Sequence, residues 1–203
     1  MKPELGLRER KKMRTRAAIQ REALRLFKKQ GYEETTIAQI AAAADISEST
    51  FFNYFESKAE VVYRDDYDPQ MGVALMERPG DEPVMLAIRR MLTEFLIPLM
   101  QRDRDLILLR SKISLEVPEL RALIWSEMEK AEDMIRHLIA HRTGRDPEDY
   151  DLRIFAGVVA GGFMTAVNEW VKADGNTDIG ESLIRALDVI EAGDRLEALQ
   201  PKG

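Results

Sequence analysis

Apolar residues recur along this chain at intervals of three and four, and no segment reads convincingly as an alternating strand. Ile19, Ala23, Leu26 and Phe27 fall at i, i+4, i+7 and i+8, the inward stripe of a first helix. Gly31 follows where such a helix ends readily, because glycine enters the left-handed region without a Cβ clash. Thr36 with Gln39 three residues on is a capping-box pattern for a second helix, whose inward stripe is Ile37, Ile40, Ala41 and Ala44. Ser47 is placed to cap a third helix, and Ser57 with Glu60 repeats the capping-box spacing for a fourth. Only Ala44-Asp45-Ile46 separates the second helix from the third, the short connection that a helix-turn-helix requires.

Beyond residue 65 the pattern predicts about six further helices. Pro69, the PGDEP segment (79–83), Pro98, Pro118, the DP pair at 146–147 and DGNTD (174–178) punctuate them. Pro69 and Pro98 are expected to kink or end helices, whereas Pro118 and Pro147 sit where a first-turn proline is favoured. Two long helices, at 148–173 and 178–193, close the chain. The longest nearly apolar run, Ile154–Val167, has 14 residues. That is short of the ~20 a membrane span needs and predicts a buried core helix, with no membrane partner. The fold class is all-α: an N-terminal arm and three-helix helix-turn-helix over residues 1–56, then a larger helical body over 57–203.

The stretch DISESTFFNYFESK (45–58) concentrates four aromatics among polar residues. With about 100° per residue and Phe51 as origin, Phe55 falls about 40° away and Tyr54 about 60° the other way. Ser49 and Asn53 point to the opposite side, with Thr50 and Phe52 on the flanks. Phe51 and Phe55 are therefore predicted core, packing on Ile40 and Ile46, and Tyr54 marginal. The small polar face left outside suits the major groove, where Asn pairs bidentately with adenine and Thr methyls touch thymine. The Ser57–Glu60 helix start, Lys58 and Thr36 are candidate phosphate anchors, and Ser47 joins them as a DNA-facing candidate.

Charge sharpens this picture. The net charge of −6 argues against nucleic acid only as a single number. Residues 1–64 hold 13 Lys/Arg against 9 Asp/Glu, and the rest 17 against 27. A basic head on an acidic body fits a module for a polyanion. Arg8, Arg10, Lys11, Arg14 and Arg16 in RERKKMRTR form a candidate arm for the minor groove, the alternative being a tail that only raises non-specific affinity. There is no cysteine, which excludes disulfides and thiol chemistry and fits a cytoplasmic protein.

The segment GYEETTIAQIAAAADISESTFFNYFESKAEVV, preceded by RTRAAIQREALRLFKKQ, resembles the N-terminal domain of the tetracycline-repressor (TetR) family. The resemblance covers roughly residues 12–62. It rests on a G-Y turn, paired threonines, an alanine-rich second helix and T-F-F-x-Y-F-x-S-K. It implies a homodimeric, ligand-responsive repressor on a palindromic operator, with Thr36, Ser49, Thr50, Phe52, Asn53, Tyr54 and Lys58 facing DNA. Three positions depart from the family pattern. Asp45 stands where glycine is usual, Phe52 where tyrosine is common, and Glu48 where small or basic residues are frequent. Asp tolerates the left-handed region, so the turn survives. Phe52 substitutes an apolar contact for a hydroxyl-to-phosphate bond.

For the body, the resemblance implies dimerisation through the last two long helices. Gly157, Gly161 and Gly162 would ease close approach there, and Ala160, Leu183, Leu187 and Ile190 supply apolar area. Phe95, Arg110, Trp125, Met128 and Phe163 are candidate contacts for a small apolar or amphipathic effector, an anionic group lying near Arg110. Asp133, His137 and His141 share one helix stripe, but i and i+8 are about 12 Å apart along a helix, so one ion does not easily take all three. No metal or other cofactor is predicted. Phosphate-loop, nucleophile-elbow and His-Glu-x-x-His motifs are absent from the sequence, which speaks against an enzyme. The competing reading is a helical metal- or ligand-binding protein or enzyme with a vestigial head.

Overall fold

The computed structural model describes residues 6–64 and 67–192, and the side chains of residues 7–10 and 67–69 lie outside that description. Every regular element among the described residues is a helix, and they contain no strand. They form two compact units. The first comprises the chain up to Arg64 together with Lys112–Arg121, and the second comprises the remainder.

In the first unit α1 (Leu7–Gln30) buries Ile19, Ala23, Leu24, Leu26 and Phe27. It ends at Gly31, whose N–H donates to Phe27 O at 2.9 Å and whose φ of 89° turns the following chain out of the helix. α2 (Ile37–Ala43) carries the complete capping box. Gln39 N–H donates to Thr36 Oγ1 at 3.2 Å, and Thr36 N–H donates to Gln39 Oε1 at 3.0 Å. Asp45 takes φ 55° in the turn to α3 (Glu48–Phe52), so an Asp holds the left-handed position. α4 (Lys58–Tyr63) packs on α1 and buries Ala59, Val61 and Val62. Its cap is only half the expected box. Ser57 Oγ accepts from Glu60 N–H at 3.1 Å, but the Glu60 carboxylate accepts from Glu56 N–H at 2.5 Å rather than from Ser57.

The second unit holds α5 (Tyr67–Met76), α6 (Val84–Met91), α7 (Ile97–Arg102), the first part of α8 (Arg104–Glu116), most of α9 (Pro118–Thr143), α10 (Tyr150–Lys172) and α11 (Ile179–Ala192). Pro118 opens α9 as a first-turn proline. Pro147 does not open α10, because Asp149 takes the cap and accepts from Asp151 N–H and Leu152 N–H. Pro98 does not end its helix either. A π-turn over Leu92–Leu96 joins α6 to α7, and Ile97 N–H reaches Leu92 O, five residues back. The wider turn answers a proline that has no N–H to give and whose ring crowds the carbonyl four residues earlier.

Arginines lock the loops of this unit. The Arg142 guanidinium donates to the carbonyls of Arg78, Pro79 and Glu82, and the Arg136 guanidinium to Pro147 O and to Glu148 and Asp133. α10 and α11 form the most extensive helix pair. α10 has 23 residues and is long and apolar enough to cross a membrane by length and composition, so its apolar character exceeds what the 14-residue run conveyed. Only 33% of its most apolar window is buried, because one face stays open.

Candidate nucleic-acid interface

Phe51 and Phe55 are 0% and 1% exposed, with ring centroids 5.8 Å apart, and they form the floor under α3. Tyr54 N–H and Phe55 N–H both return to Phe51 O, so the helical course continues one turn past the end of α3 and brings Phe55 under it. On the other side Ser49 and Asn53 are exposed, Thr50 is half-exposed, and Phe52 is 52% exposed with its ring edge-on to Phe51. The hydroxyls are organised by the cap. Ser47 Oγ accepts from Thr50 N–H at 3.1 Å and lies 2.9 Å from Ser49 Oγ and 2.8 Å from Thr50 Oγ1. A rigid aromatic base thus presents short hydrogen-bonding groups and one apolar ring outward, the chemistry that reads base edges. Tyr54 is half-buried, as a margin residue should be.

The flanking anchors are less alike than their spacing implied. Thr36 is exposed, with its hydroxyl oxygen engaged by Gln39 N–H. The Lys58 ammonium is already fixed, 2.7 Å from Tyr32 O and 4.0 Å over the Tyr32 ring, leaving two donors for another acceptor. The basic segment is helical from Leu7 onward, not an extended arm. Lys11 and Arg14 are exposed on it and Arg16 is half-buried, while the side chains of Arg8 and Arg10 lie outside the described residues. A helix with its side chains, about 10–12 Å across, does not enter a minor groove about 6 Å wide. In this conformation the cations suit phosphates.

One feature of the head had no local signal in the sequence. The segment Lys112–Arg121, far downstream of α4 in the chain, belongs to the first unit. There the Tyr63 hydroxyl donates to Leu120 O. The Tyr32 hydroxyl is buried, and among the described residues no hydrogen bond of normal geometry closes on it. Burial first, and then the carboxylates of Glu119 and Glu33, raise its pKa well above the ordinary tyrosine value. Since α8 and α9 run on into the second unit, this corner joins the head to the helices of the body.

The family model described as bacterial regulatory proteins of the tetR family matches residues 19–63, and the model described as the MftR C-terminal domain matches residues 82–195. The chain is 34% identical over 178 residues to the HTH-type transcriptional regulator TcmR of Streptomyces glaucescens, covering 83% of this chain and 79% of that one. It belongs to the TetR family.

Solved TetR-like structures share the fold. FadR of Thermus thermophilus, solved in complex with lauroyl-CoA, superposes with a TM-score of 0.56 at 25% identity, over 88% of this chain and 94% of that one. SmeT of Stenotrophomonas maltophilia, solved with triclosan, gives 0.60 at 20%, over 91% and 90%. The protein is a DNA-binding transcriptional regulator, and TetR regulators bind operator DNA and small-molecule effectors and function as dimers. The reading as an enzyme with a vestigial head is not favoured. Of the candidate effector contacts in this regulator, Arg110 is buried in α8. Phe95 in the π-turn, Met128 in α9 and Phe163 in α10 are half-buried, and Trp125 is 71% exposed on α9.

Proposed function

We propose that this TetR regulator is a homodimeric repressor that reads a palindromic operator with α3 and releases it when an amphipathic effector occupies the body. The observation carrying the proposal is the two-sided build of α3, with Phe51 and Phe55 beneath and Ser49, Thr50, Phe52 and Asn53 above. One short helix reads only a few base pairs, so specificity comes from two copies set one helical turn of DNA apart. Asn53 is the base reader, Ser47, Ser49, Thr50 and Phe52 shape the contact, and Thr36, Tyr54, Lys58, Lys11, Arg14 and Arg16 hold the backbone. Arg8 and Arg10 add positive charge to the same segment of the sequence.

The two copies pair through α10 and α11. Tyr150, Ile154 and Val158 recur at i, i+4 and i+8 on the open face of α10 and are 74%, 52% and 47% exposed. An apolar stripe of that kind calls for a partner.

For the effector, Phe95, Met128 and Phe163 supply apolar contacts and Arg110 the anionic one. The FadR complex with lauroyl-CoA, an amphipathic anion, supports that class of ligand. Trp125, at 71% exposure, fits an enclosed pocket poorly. Coupling runs through the α8–α9 corner, where Tyr63 holds Leu120 on the head side. A bias of roughly 1–3 kcal/mol is enough to change operator affinity about 5- to 150-fold.

The test is selection of bound sites from random duplexes, followed by titration of the selected operator against lauroyl-CoA and simple fatty acids. Enrichment of an inverted repeat, weakened by one of these anions in wild type but not in Arg110→Gln, is the expected result. Enrichment of no sequence refutes the repressor reading. Equal response of wild type and Arg110→Gln removes Arg110 from the effector site.

A further inference from the structure

Glu48 is a residue of α3 to which the contact proposed above gives no task. It is the first residue of the helix and is exposed, and among the described residues no hydrogen bond or ion pair engages its carboxylate. The cation nearest in the sequence is committed elsewhere. Lys58 donates to Tyr32 O at 2.7 Å and lies 4.0 Å over the Tyr32 ring. The hydroxyls beside Glu48 engage one another, Ser47 Oγ lying 2.9 Å from Ser49 Oγ and 2.8 Å from Thr50 Oγ1. The start of α3 thus carries a free carboxylate among small groups that already hydrogen-bond each other.

Against DNA in general such a group is a liability, because phosphates repel it and it offers acceptors but no donor. The base edges of the major groove differ in how they meet it. Guanine presents two acceptors, N7 and O6, and thymine presents the O4 acceptor beside a methyl. Adenine has a donor at N6 with the N7 acceptor next to it. Cytosine presents the N4 donor with no acceptor on its own edge. A carboxylate brought to the groove floor therefore meets repulsion at guanine and thymine, a contested bond at adenine and an uncontested one at cytosine. The N-terminal residues of a recognition helix are those that meet base edges, and Glu48 is the first of α3. Phe52, exposed one turn further on, lies about 6 Å along the helix and about 40° round from it. Its ring keeps water from that flank when the helix is seated, which widens the gap between a paired and an unpaired carboxylate.

We infer that Glu48 is a second base reader of α3, accepting a hydrogen bond from the N4 amino group of one cytosine in each operator half-site and rejecting the other bases by repulsion. This rests on the reading that α3 enters the major groove, and it adds to Asn53 a position whose base is set by the chemistry of the side chain. Discrimination comes as much from what the carboxylate excludes as from what it binds. The same charge weakens binding to random sequence, so the gap between operator and bulk DNA widens from both sides.

The experiment is selection of bound sites from random duplexes by wild type and Glu48→Gln, followed by titration of the selected operator. Wild type is expected to enrich an inverted repeat with a fixed C·G pair in each half. Glu48→Gln is expected to keep the repeat but lose that pair in favour of A·T, since a carboxamide pairs bidentately with adenine N6 and N7. It should also bind random duplexes more tightly than wild type, most clearly at low salt. The atom is identified by replacing that cytosine with 2-pyrimidinone, which lacks the amino group. Wild type should bind the altered operator about tenfold more weakly, whereas Glu48→Ala should bind altered and unaltered operators alike. If wild type and Glu48→Gln enrich the same pair at every position, or the pyrimidinone weakens wild type and Glu48→Ala equally, the inference fails alone. Glu48 then serves only the start of the helix, seen as a lowered urea midpoint for Glu48→Gln with unchanged selection. A wild type that enriches no sequence defeats the reading of α3 together with this one.

Discussion

Phe51 and Phe52 are chemically identical neighbours that the fold uses in opposite ways, so truncating each separates stability from recognition. Phe51 is 0% exposed and packs on Phe55. Removing its ring leaves a cavity in a small head, at a cost of about 3–5 kcal/mol. Set against a typical domain stability of roughly 5–15 kcal/mol, Phe51→Ala leaves the head marginal or unfolded at 37 °C. Phe52 is 52% exposed. Full burial of such a side chain stabilises by about 1.5–3 kcal/mol, so the covered half of Phe52 contributes about 1 kcal/mol. Phe52→Ala therefore keeps the fold and loses an apolar contact to DNA, with a rise in operator Kd of roughly fivefold or more, equivalent to about 1 kcal/mol. Urea unfolding followed by helical signal gives the first quantity and duplex titration below the melting range gives the second. Equal destabilisation by the two substitutions, or unchanged DNA affinity for Phe52→Ala, refutes the assignment of inner and outer faces.

Further outcomes follow from other contacts. Tyr63→Phe deletes the hydroxyl that donates to Leu120 O and should cost about 1 kcal/mol, read as faster amide exchange in α4 and around Leu120. Neutralising the exposed Lys11 and Arg14 together should lower the slope of log K against log salt by about 2, with equal loss on operator and random duplexes. Ser47→Ala removes the α3 cap that also orders Ser49 and Thr50, costing about 1 kcal/mol in stability and weakening operator binding in addition. In the body, hydrogen bonding to Arg78 holds the Glu82 carboxyl below its ordinary range, as Arg136 does for Asp133 and Arg145 for Asp149. A lowered folded pKa gives stability that is present above the unfolded value near 4 and lost as pH falls through the folded one. The melting temperature should therefore fall below about pH 4, and Glu82→Gln should flatten that fall.

The head was legible in the sequence because its signals are local. The Thr36–Gln39 box, the Ser47 cap, Gly31 and the left-handed Asp45 each act within four residues, and all four stand in the structure as the spacing implied. The helical period placed Phe51 and Phe55 inside and Ser49 and Asn53 outside. Where two local options compete, spacing decides less. Glu60 satisfies Glu56 N–H instead of closing its box, and Asp149 takes the α10 cap two residues past Pro147. At Pro98 the helix widens into a π-turn rather than stopping, and the widened segment packs closely on α11. Gly180 at the start of α11 lies so close to Ile97 that a Cβ there would stand 2.7 Å from its Cγ2. The Lys112–Arg121 corner was not readable at all, since its contacts with Tyr63 and Tyr32 span 57 residues and more. The charge of the basic segment suggests an arm, yet the helix of α1 runs through it.

The central claim is that the outer face of α3 reads DNA sequence in a two-fold arrangement. Parallel selection from random duplexes by wild type and Asn53→Ala tests it most directly. The account predicts an inverted repeat for wild type, and for Asn53→Ala the same repeat relaxed at one position in each half-site, with a cost of roughly 1–3 kcal/mol on the operator and little on random DNA. Identical enriched sequences for both proteins, or a wild-type preference without two-fold symmetry, would contradict it.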